Sequence, residues 1–460
     1  MELMDRFLCV VTLVVSTVAV AAADKPVSYY NDIVPIFKRS CTGCHHPGKL
    51  KGQLDMTSYE LLKKGGKHGA GFVAGKPKES ALLDEISGEE PSMPKEGDPL
   101  SKAEVAMIER WIIDGAKNDT PAGAGSYKLT AAPEYTQPPV ISALAFSPDG
   151  KLLAVSGYHE VLLHGGAESN IVARLVGESP RIESLAFSPD GKKLAVAGSA
   201  PSRFGEVQIW DSSTTGTVLN APKSFKVSLD SIYGISWSPD GTRLAFGGAD
   251  KVVRIISAVD GKELVKFENH SDWVFATTWT LDGKRILSGS RDKAMKLIDA
   301  SNGQFIDDVN KLLEGVVCFA RHPKEDVVTY GGDMNITRSY KMAENQGRTA
   351  ANNDSNLRAE FERMQGPVQA IAYSPGGTNI CIGSIGGEAR VFNTADKKRV
   401  ATLKGHDGAI FALTYHPSTN WVVTGGFDGK LRVFDAAKGE TIRAFIPVPV
   451  KARAGDRAAK

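Results

Sequence analysis

A four-residue turn motif that recurs seven times constrains the fold of this chain more than any other feature. Ser147, Ser188 and Ser238 each begin a Ser-Pro-Asp-Gly sequence, and weaker copies begin at residues 280, 322, 374 and 416. The successive intervals are 41, 50, 42, 42, 52 and 42 residues, and short strand-like runs flank each copy. This period is typical of a β-propeller with four strands in each blade. The sequence therefore predicts an all-β propeller of seven blades over residues 139–448.

These repeats resemble WD repeats, and the last copy carries the resemblance most fully. In that family a His, a Ser or Thr, an Asp and a Trp form a buried hydrogen-bond chain within one blade. His406, Thr424 and Asp428 match three of these positions, and Phe434 replaces the Trp. The fourth repeat offers a second set, His270, Ser288 and Asp292. The resemblance implies that these side chains stiffen their blades and do not act as catalytic groups or metal ligands.

Three features of the predicted propeller stay open. The longest interval contains a polar insertion, residues 341–365, with helical character from Leu357 to Met364; it is either a partner contact or a solvated excursion. The outer strand of the last blade is either residues 440–446 or residues 127–131. Cys318 and Cys381 lie in predicted strands, where buried free thiols are expected and a disulfide is the alternative.

A second motif, Cys-Thr-Gly-Cys-His, places Cys41 and Cys44 beside His45. Thiols at this spacing can each add to a vinyl group of one porphyrin, and the adjacent His supplies an axial nitrogen to the iron. The alternatives are a disulfide or half of a zinc site. A structural zinc site needs four ligands, and no second Cys/His pair lies nearby in the sequence. The motif therefore predicts one covalently attached haem c.

The sixth iron ligand is predicted to be Met93, which lies in the proline-flanked sequence Pro-Ser-Met-Pro-Lys. A thioether ligand belongs in such a rigid loop on the far side of the ring. Met56 follows the haem motif too closely, Met107 is expected to pack in the core, and His68 would give a site with two His ligands. Two helices frame these residues in the sequence. One spans residues 31–39, and the other begins after a capping box formed by Ser101 and Glu104.

Residues 29–118 resemble the planctomycete-type cytochrome c domain. The resemblance rests on residues 33–37 (Ile-Val-Pro-Ile-Phe), the haem motif at 41–45, Gly75-Lys76-Pro77, Met93-Pro94 and Trp111-Ile112. It implies a small all-α domain, and it implies His45 and Met93 as the axial ligands of the iron.

The N-terminus has the pattern of an export signal. Arg6 precedes an apolar run from Phe7 to Ala23, and three alanines before Asp24 form a cleavage site. The alternative is an uncleaved anchor, for which the run is barely long enough. We therefore expect a signal peptide at 1–23, a cytochrome domain at 24–118, a linker at 119–138 and a basic tail at 449–460. No later segment is long and apolar enough to span a membrane.

Two functions are compatible with this organisation. The first is an exported, periplasmic or cell-envelope electron-transfer protein, whose propeller docks a protein redox partner or a multiprotein complex. The alternative is an oxidoreductase with a catalytic site in the propeller, fed by the cytochrome domain. The sequence has no second haem motif and no cluster of His, Asp or Glu outside the repeat positions, which favours the first. The formal net charge of +2 gives no reason to expect nucleic acid as a partner.

Overall fold

The computed structural model describes residues 26–46, 49–95, 97–121, 129–221, 223–310, 314–344 and 354–451. The predicted signal peptide and nearly all of the predicted basic tail lie outside the described residues. The chain divides into two compact units, residues 1–125 and residues 126–460.

Within its described residues, the first unit contains four short α-helices. They are α1 (Val34–Ser40), α2 (Tyr59–Lys64), α3 (Ala81–Ile86) and α4 (Lys102–Ile113). A π-helical turn at Tyr29–Ile33 leads into α1, and 3₁₀ turns lie at Lys51–Gln53 and Pro77–Glu79. The two-residue strands His45–His46 and Lys49–Leu50 pair in antiparallel fashion. The predicted all-α class is thus met only in part, because glycine-rich loops occupy much of the unit between the helices.

Helix α4 begins as predicted, because Ser101 and Glu104 form a complete capping box. Its buried face presents Trp111 to an aromatic cluster that includes Tyr29, Tyr59 and Phe72. The Trp111 ring centroid lies 5.2 Å from that of Tyr29 and 4.9 Å from that of Phe72. Burying aromatic side chains of this size stabilises a small unit through the apolar area that it removes from water. This cluster fixes α4 against the N-terminal helical segment.

The second unit is a propeller of seven four-stranded antiparallel blades, which confirms the prediction. Blades 1 to 4 consist of Leu144–Phe146, Leu152–Ser156, Glu160–Gly165 and Ile171–Val176; Arg181–Phe187, Lys193–Ala200, Phe204–Asp211 and Lys223–Ser228; Ile232–Trp237, Arg243–Gly248, Val253–Ser257 and Glu263–Phe267; Val274–Trp279, Arg285–Ser290, Met295–Asp299 and Phe305–Asp308. Blades 5 to 7 consist of Val316–Arg321, Val327–Gly332, Arg338–Lys341 and Leu357–Glu360; Val368–Tyr373, Asn379–Ser384, Ala389–Asn393 and Arg399–Leu403; Ile410–Tyr415, Trp421–Gly426, Leu431–Asp435 and Thr441–Phe445.

The helical character predicted from Leu357 to Met364 is wrong. Leu357–Glu360 is the outer strand of blade 5 and pairs with Arg338–Lys341. Phe361 and Met364, which follow the strand, are buried in the core of blades 5 and 6. Pairing with a neighbouring strand has overridden the local helical pattern. Residues 345–353 of the predicted insertion lie outside the described residues.

The ring closes without any exchange of strands between its ends. Thr441–Phe445 is the outer strand of blade 7, which settles the choice between the two candidate segments. A separate clasp joins the ends of the unit: Tyr135 forms a parallel bridge with Val450, and the Lys451 amide donates to the Tyr135 carbonyl at 2.9 Å.

An additional strand links blades 1 and 2. Gly216–Leu219, which lies between the third and fourth strands of blade 2, pairs in parallel with Ile171–Val176 of blade 1. It covers the outer edge of blade 1 as a fifth strand. The first of the two longer repeat intervals therefore encodes this crossing strand.

Candidate functional site

The Cys-Thr-Gly-Cys-His segment begins where helix α1 ends. The Cys41 amide still donates to the Phe37 carbonyl at 2.8 Å, as in a final helical turn. The amides of Cys44 and His45 then both donate to the Cys41 carbonyl, each at 3.1 Å. This tight turn directs all three side chains of the motif towards one cavity.

The His45 ring is held by the main chain. Its Nδ1 lies 2.9 Å from the carbonyl oxygen of Lys51. A carbonyl oxygen can only accept a hydrogen bond, so Nδ1 carries a proton, and in the neutral ring this tautomer leaves the lone pair on Nε2. Such a contact fixes the ring orientation and the tautomer of a metal-binding His. The His45 side chain therefore offers an axial nitrogen.

The four residues predicted to hold a haem share one cavity of about 280 Å³. Cys41, Cys44, His45 and Met93 all contribute to its wall. Much of the remaining wall is apolar and comes from Leu54, Met56, Leu82, Ile86 and Leu100. The structure thus brings together residues that are separated by up to 52 positions in the sequence.

The competing ligands differ in position. His68 lies in a glycine-rich loop and also lines the cavity, as does the buried Met56. Met107 is 38% exposed on α4. The expectation that Met107 packs in the core is therefore wrong, because it lies on the outer face of an amphipathic helix. Two candidates besides Met93, namely His68 and Met56, consequently remain near the predicted haem.

Helix α3 positions the Met93 loop. The Met93 amide donates to the Glu85 carbonyl at 2.9 Å, and the Ser92 hydroxyl donates to the same oxygen at 3.2 Å. Glu85 lies near the end of α3, where main-chain carbonyls lack helical partners. The hydrogen-bonding groups of the helix end and of the loop thus pair with each other. Pro94 stiffens the loop directly after Met93.

Burial keeps the thiol of Cys41 protonated. Desolvation raises the pKa of Cys41 to about 11, and the nearby Arg39 guanidinium only partly offsets this effect. Both cysteines of the motif are free thiols and form no disulfide with each other. Within the described ranges, no group of three or more His, Cys, Asp or Glu side chains is arranged to hold a metal ion directly.

The donor chemistry fits a c-type haem. Two free thiols could form the thioether links, a His with an available Nε2 could ligate the iron, and a thioether sulfur lines the same apolar cavity. Apolar surroundings and a His/Met ligand pair are the features with which proteins hold and tune such a group.

The predicted hydrogen-bond chains exist in blades 4 and 7. His270 Nε2 lies 2.8 Å from Ser288 Oγ, and its Nδ1 lies 2.8 Å from Asp292 Oδ2. In blade 7, His406 Nε2 lies 2.7 Å from Thr424 Oγ1, and its Nδ1 lies 3.1 Å from an Asp428 oxygen. Both His side chains are buried, so these groups connect strands within a blade.

The sequence did not reveal every group that positions the site. The carbonyls of Lys51 and Glu85 orient His45 and Met93, but they belong to the main chain and leave no residue-type signature. Blade 2 replaces the His/Asp pair by Glu206 and Gln208, with Gln208 Oε1 accepting from Trp210 Nε1 at 3.0 Å. The Trp210-Asp211 pair was the available signal for this variant network.

Parts of the chain match three protein-family models, and these matches agree with this architecture. Residues 41–97 match the model described as Planctomycete cytochrome C. Residues 130–160 and 397–435 match the WD domain, G-beta repeat, and residues 225–281 match the Anaphase-promoting complex subunit 4 WD40 domain. No curated protein matches the chain significantly. The chain is thus similar to cytochrome c in its first unit and to WD40 proteins in its second.

Proposed function

We propose that this chain, in which a planctomycete-type cytochrome c segment precedes a WD40 propeller, is an exported electron-transfer protein. It carries one haem c, attached through Cys41 and Cys44 and ligated by His45 and Met93. The observation that carries the proposal is the single apolar cavity that these four side chains line. The proposed organisation is a cytochrome domain at 24–118, a linker at 119–138 and a propeller at 139–448.

The protein's own groups have defined tasks in this proposal. The Lys51 carbonyl holds the His45 ring, and the Glu85 carbonyl holds the Met93 loop. The apolar side chains of the wall lower the polarity of the cavity, which is one way in which a protein tunes such a group. A bound haem would supply one-electron chemistry, and His45 and Met93 would be its two ligands from the protein. This ligand set favours electron transfer over catalysis at the iron.

The propeller serves as a scaffold for a protein redox partner or a multiprotein complex. Four large apolar side chains occupy equivalent loops after the second strands of blades 5, 6, 7 and 1, and therefore share one face of the ring. They are Met334 (44% exposed), Ile385 (43%), Phe427 (62%) and Tyr158 (54%). An exposed apolar arc of this kind is typical of a protein-contact surface.

Export is part of the proposal. It is supported by the signal-like pattern at 1–23 and by the attachment of bacterial c-type haem outside the cytoplasm. Among the described residues, no helix is both long enough and apolar enough to cross a membrane.

The covalent haem is tested by comparing the full chain with a Cys41→Ser, Cys44→Ser double variant. We expect one haem per wild-type chain, retained through acid–acetone extraction, and none retained in the variant. Extraction-resistant haem in the variant would refute the attachment, and a second chromophore in the wild type would favour an enzyme with a site in the propeller.

The scaffold is tested with a matched pair of surface variants. Phe427→Ser alters the apolar arc, whereas Val259→Ser alters an equally exposed residue in a loop at the opposite face of the ring. We expect Phe427→Ser to weaken capture of a purified redox partner by about tenfold, which is a typical cost for an interface anchor. Val259→Ser should capture the partner as the wild type does. Weaker capture after deletion of residues 345–353 would show that this segment also contributes. Equal capture by all variants and the wild type would exclude the arc.

A further inference from the structure

A second cavity of about 320 Å³ opens on the face of the propeller that carries the seven turn motifs. Trp237 and Trp279, which end the first strands of blades 3 and 4, form two of its walls. Pro189 and Pro239 from the turns add apolar surface, and Arg321 of blade 5 lies at one side. The cavity is thus built by four successive blades and lies wholly within the second unit.

The two indole rings are rigidly held. Trp237 Nε1 donates to the Ala186 carbonyl at 2.9 Å, and Trp279 Nε1 donates to the Ser236 carbonyl at 3.2 Å. Each ring is therefore tied to the first strand of the preceding blade. The polar atom of each indole is already satisfied, and Trp279 is 2% exposed, so the aromatic surface open to a ligand belongs mainly to the half-buried Trp237.

Arg321 brings a positive charge that no carboxylate neutralises by direct contact. Its guanidinium donates to the His322 carbonyl at 3.3 Å, and it forms no ion pair with a carboxylate of the described chain. The nearby Asp326, whose Oδ1 accepts from the Leu281 amide at 2.6 Å, keeps its negative charge but makes no ion pair with this guanidinium. Burial lowers the pKa of Arg321, although the charge of Asp326 opposes this effect. The guanidinium thus retains donors for an anion.

A second guanidinium stands behind Trp279. The Arg243 side chain lies 4.7 Å from the Trp279 ring centroid. Its hydrogen bonds go to the carbonyls of Gly283 (3.1 Å) and Ala300 (3.2 Å). Arg243 thus adds a positive charge behind the Trp279 wall, partly offset by Asp240, and the donors that face the cavity itself come from Arg321.

We infer that this cavity binds a small aromatic carboxylate, with the carboxylate on Arg321 and the ring against Trp237. A guanidinium matches the planar geometry of a carboxylate and can donate two parallel hydrogen bonds to it. The cavity volume lies at the lower end of the range for small-molecule sites, and its mixture of apolar walls and one charged group is typical of them. This site is independent of the proposed haem.

The inference is tested by calorimetry and ligand-observed NMR on the full haem-loaded chain, with phenylacetate as the probe and phenylacetamide as its neutral counterpart. We expect phenylacetate to bind at least tenfold more tightly than the amide, because the amide lacks the charge. Arg321→Gln should weaken phenylacetate binding about 10- to 100-fold, whereas Arg321→Lys should lose less. Phenylacetamide binding should hardly change in either variant.

Arg291→Gln is the matched control. Arg291 also lies over an indole, 4.5 Å from the Trp273 ring centroid, but it belongs to the opposite face of the ring. Phenylacetate should bind to this variant as to the wild type. The inference is overturned if wild-type protein does not bind phenylacetate, if acid and amide bind equally, or if Arg291→Gln and Arg321→Gln have the same effect. The acid–amide comparison on wild-type protein decides the matter even if Arg321→Gln does not fold.

Discussion

Replacement of Asp292 by Asn should destabilise the propeller by about 2–3 kcal/mol at neutral pH. The Asp292 side chain is 7% exposed, and it accepts hydrogen bonds from His270 Nδ1 at 2.8 Å and from the Ser271 amide at 2.9 Å. Burial alone would raise the pKa of Asp292. The hydrogen bond from His270 and those from the amides of Ser271 and Ala294 lower this pKa to about 2. A drop from 3.8 to about 2 corresponds to roughly 2.5 kcal/mol, and the loss of one charge-assisted hydrogen bond gives a similar figure.

The measurement is urea unfolding followed by far-UV circular dichroism at several pH values. A carboxylate with a depressed folded pKa stabilises the fold above its unfolded pKa, and this contribution disappears as the pH falls through the folded pKa. The difference between wild type and Asp292→Asn should therefore be full above about pH 4 and shrink towards pH 2. Asp272→Asn is the control, because its pair with Arg291 is more exposed and should contribute under about 1 kcal/mol. Equal losses in both variants, or a difference that does not vary with pH, would refute the reasoning.

Three further predictions concern the ligand, the clasp and the independence of the units. Met93→Ala should abolish the weak absorption band near the red edge of the visible spectrum that reports Met–iron ligation, and Met107→Ala should leave it; the reverse result would reassign the ligand. Tyr135→Phe should cost about 1 kcal/mol in urea unfolding, because it removes the hydroxyl donor to Glu160 at 2.7 Å while Glu160 keeps its pair with Arg174. A fragment from Thr130 to Lys460 should be soluble and β-rich without haem, and a disordered fragment would show that the units depend on each other.

The repeat period and the haem motif made most of this architecture predictable. Seven turn motifs predicted seven blades, because each copy marks one meander of four strands. The His270 and His406 networks were predictable for a similar reason: polar residues at fixed positions of each repeat have to meet when the strands pair. The start of α4 followed from the capping box, a signal contained within four residues.

Other features depend on contacts that no local pattern encodes. Gly216–Leu219 is too short to be recognised as a strand, and its partner belongs to another blade. Leu357–Glu360 forms a strand because an edge of blade 5 is available to it. The Lys51 carbonyl orients His45 through the path of the main chain. Arg321 and the two Trp residues lie 42 positions apart from one to the next, so only the closed ring shows that they share a cavity.

The closure of the ring has a consequence for how such a chain can be rearranged by evolution or by design. Because blade 7 is completed by its own Thr441–Phe445, the four main strands of each blade follow one another in the sequence, and only Gly216–Leu219 crosses from blade 2 to blade 1. New termini placed between most pairs of blades would therefore leave seven whole blades, with the old ends already held together at Tyr135 and Val450. The junction of blades 1 and 2 is the exception, since a cut there would place Gly216–Leu219 and the strand it covers at opposite ends of the chain. Circular permutation should accordingly be tolerated around the ring and resisted at that one junction.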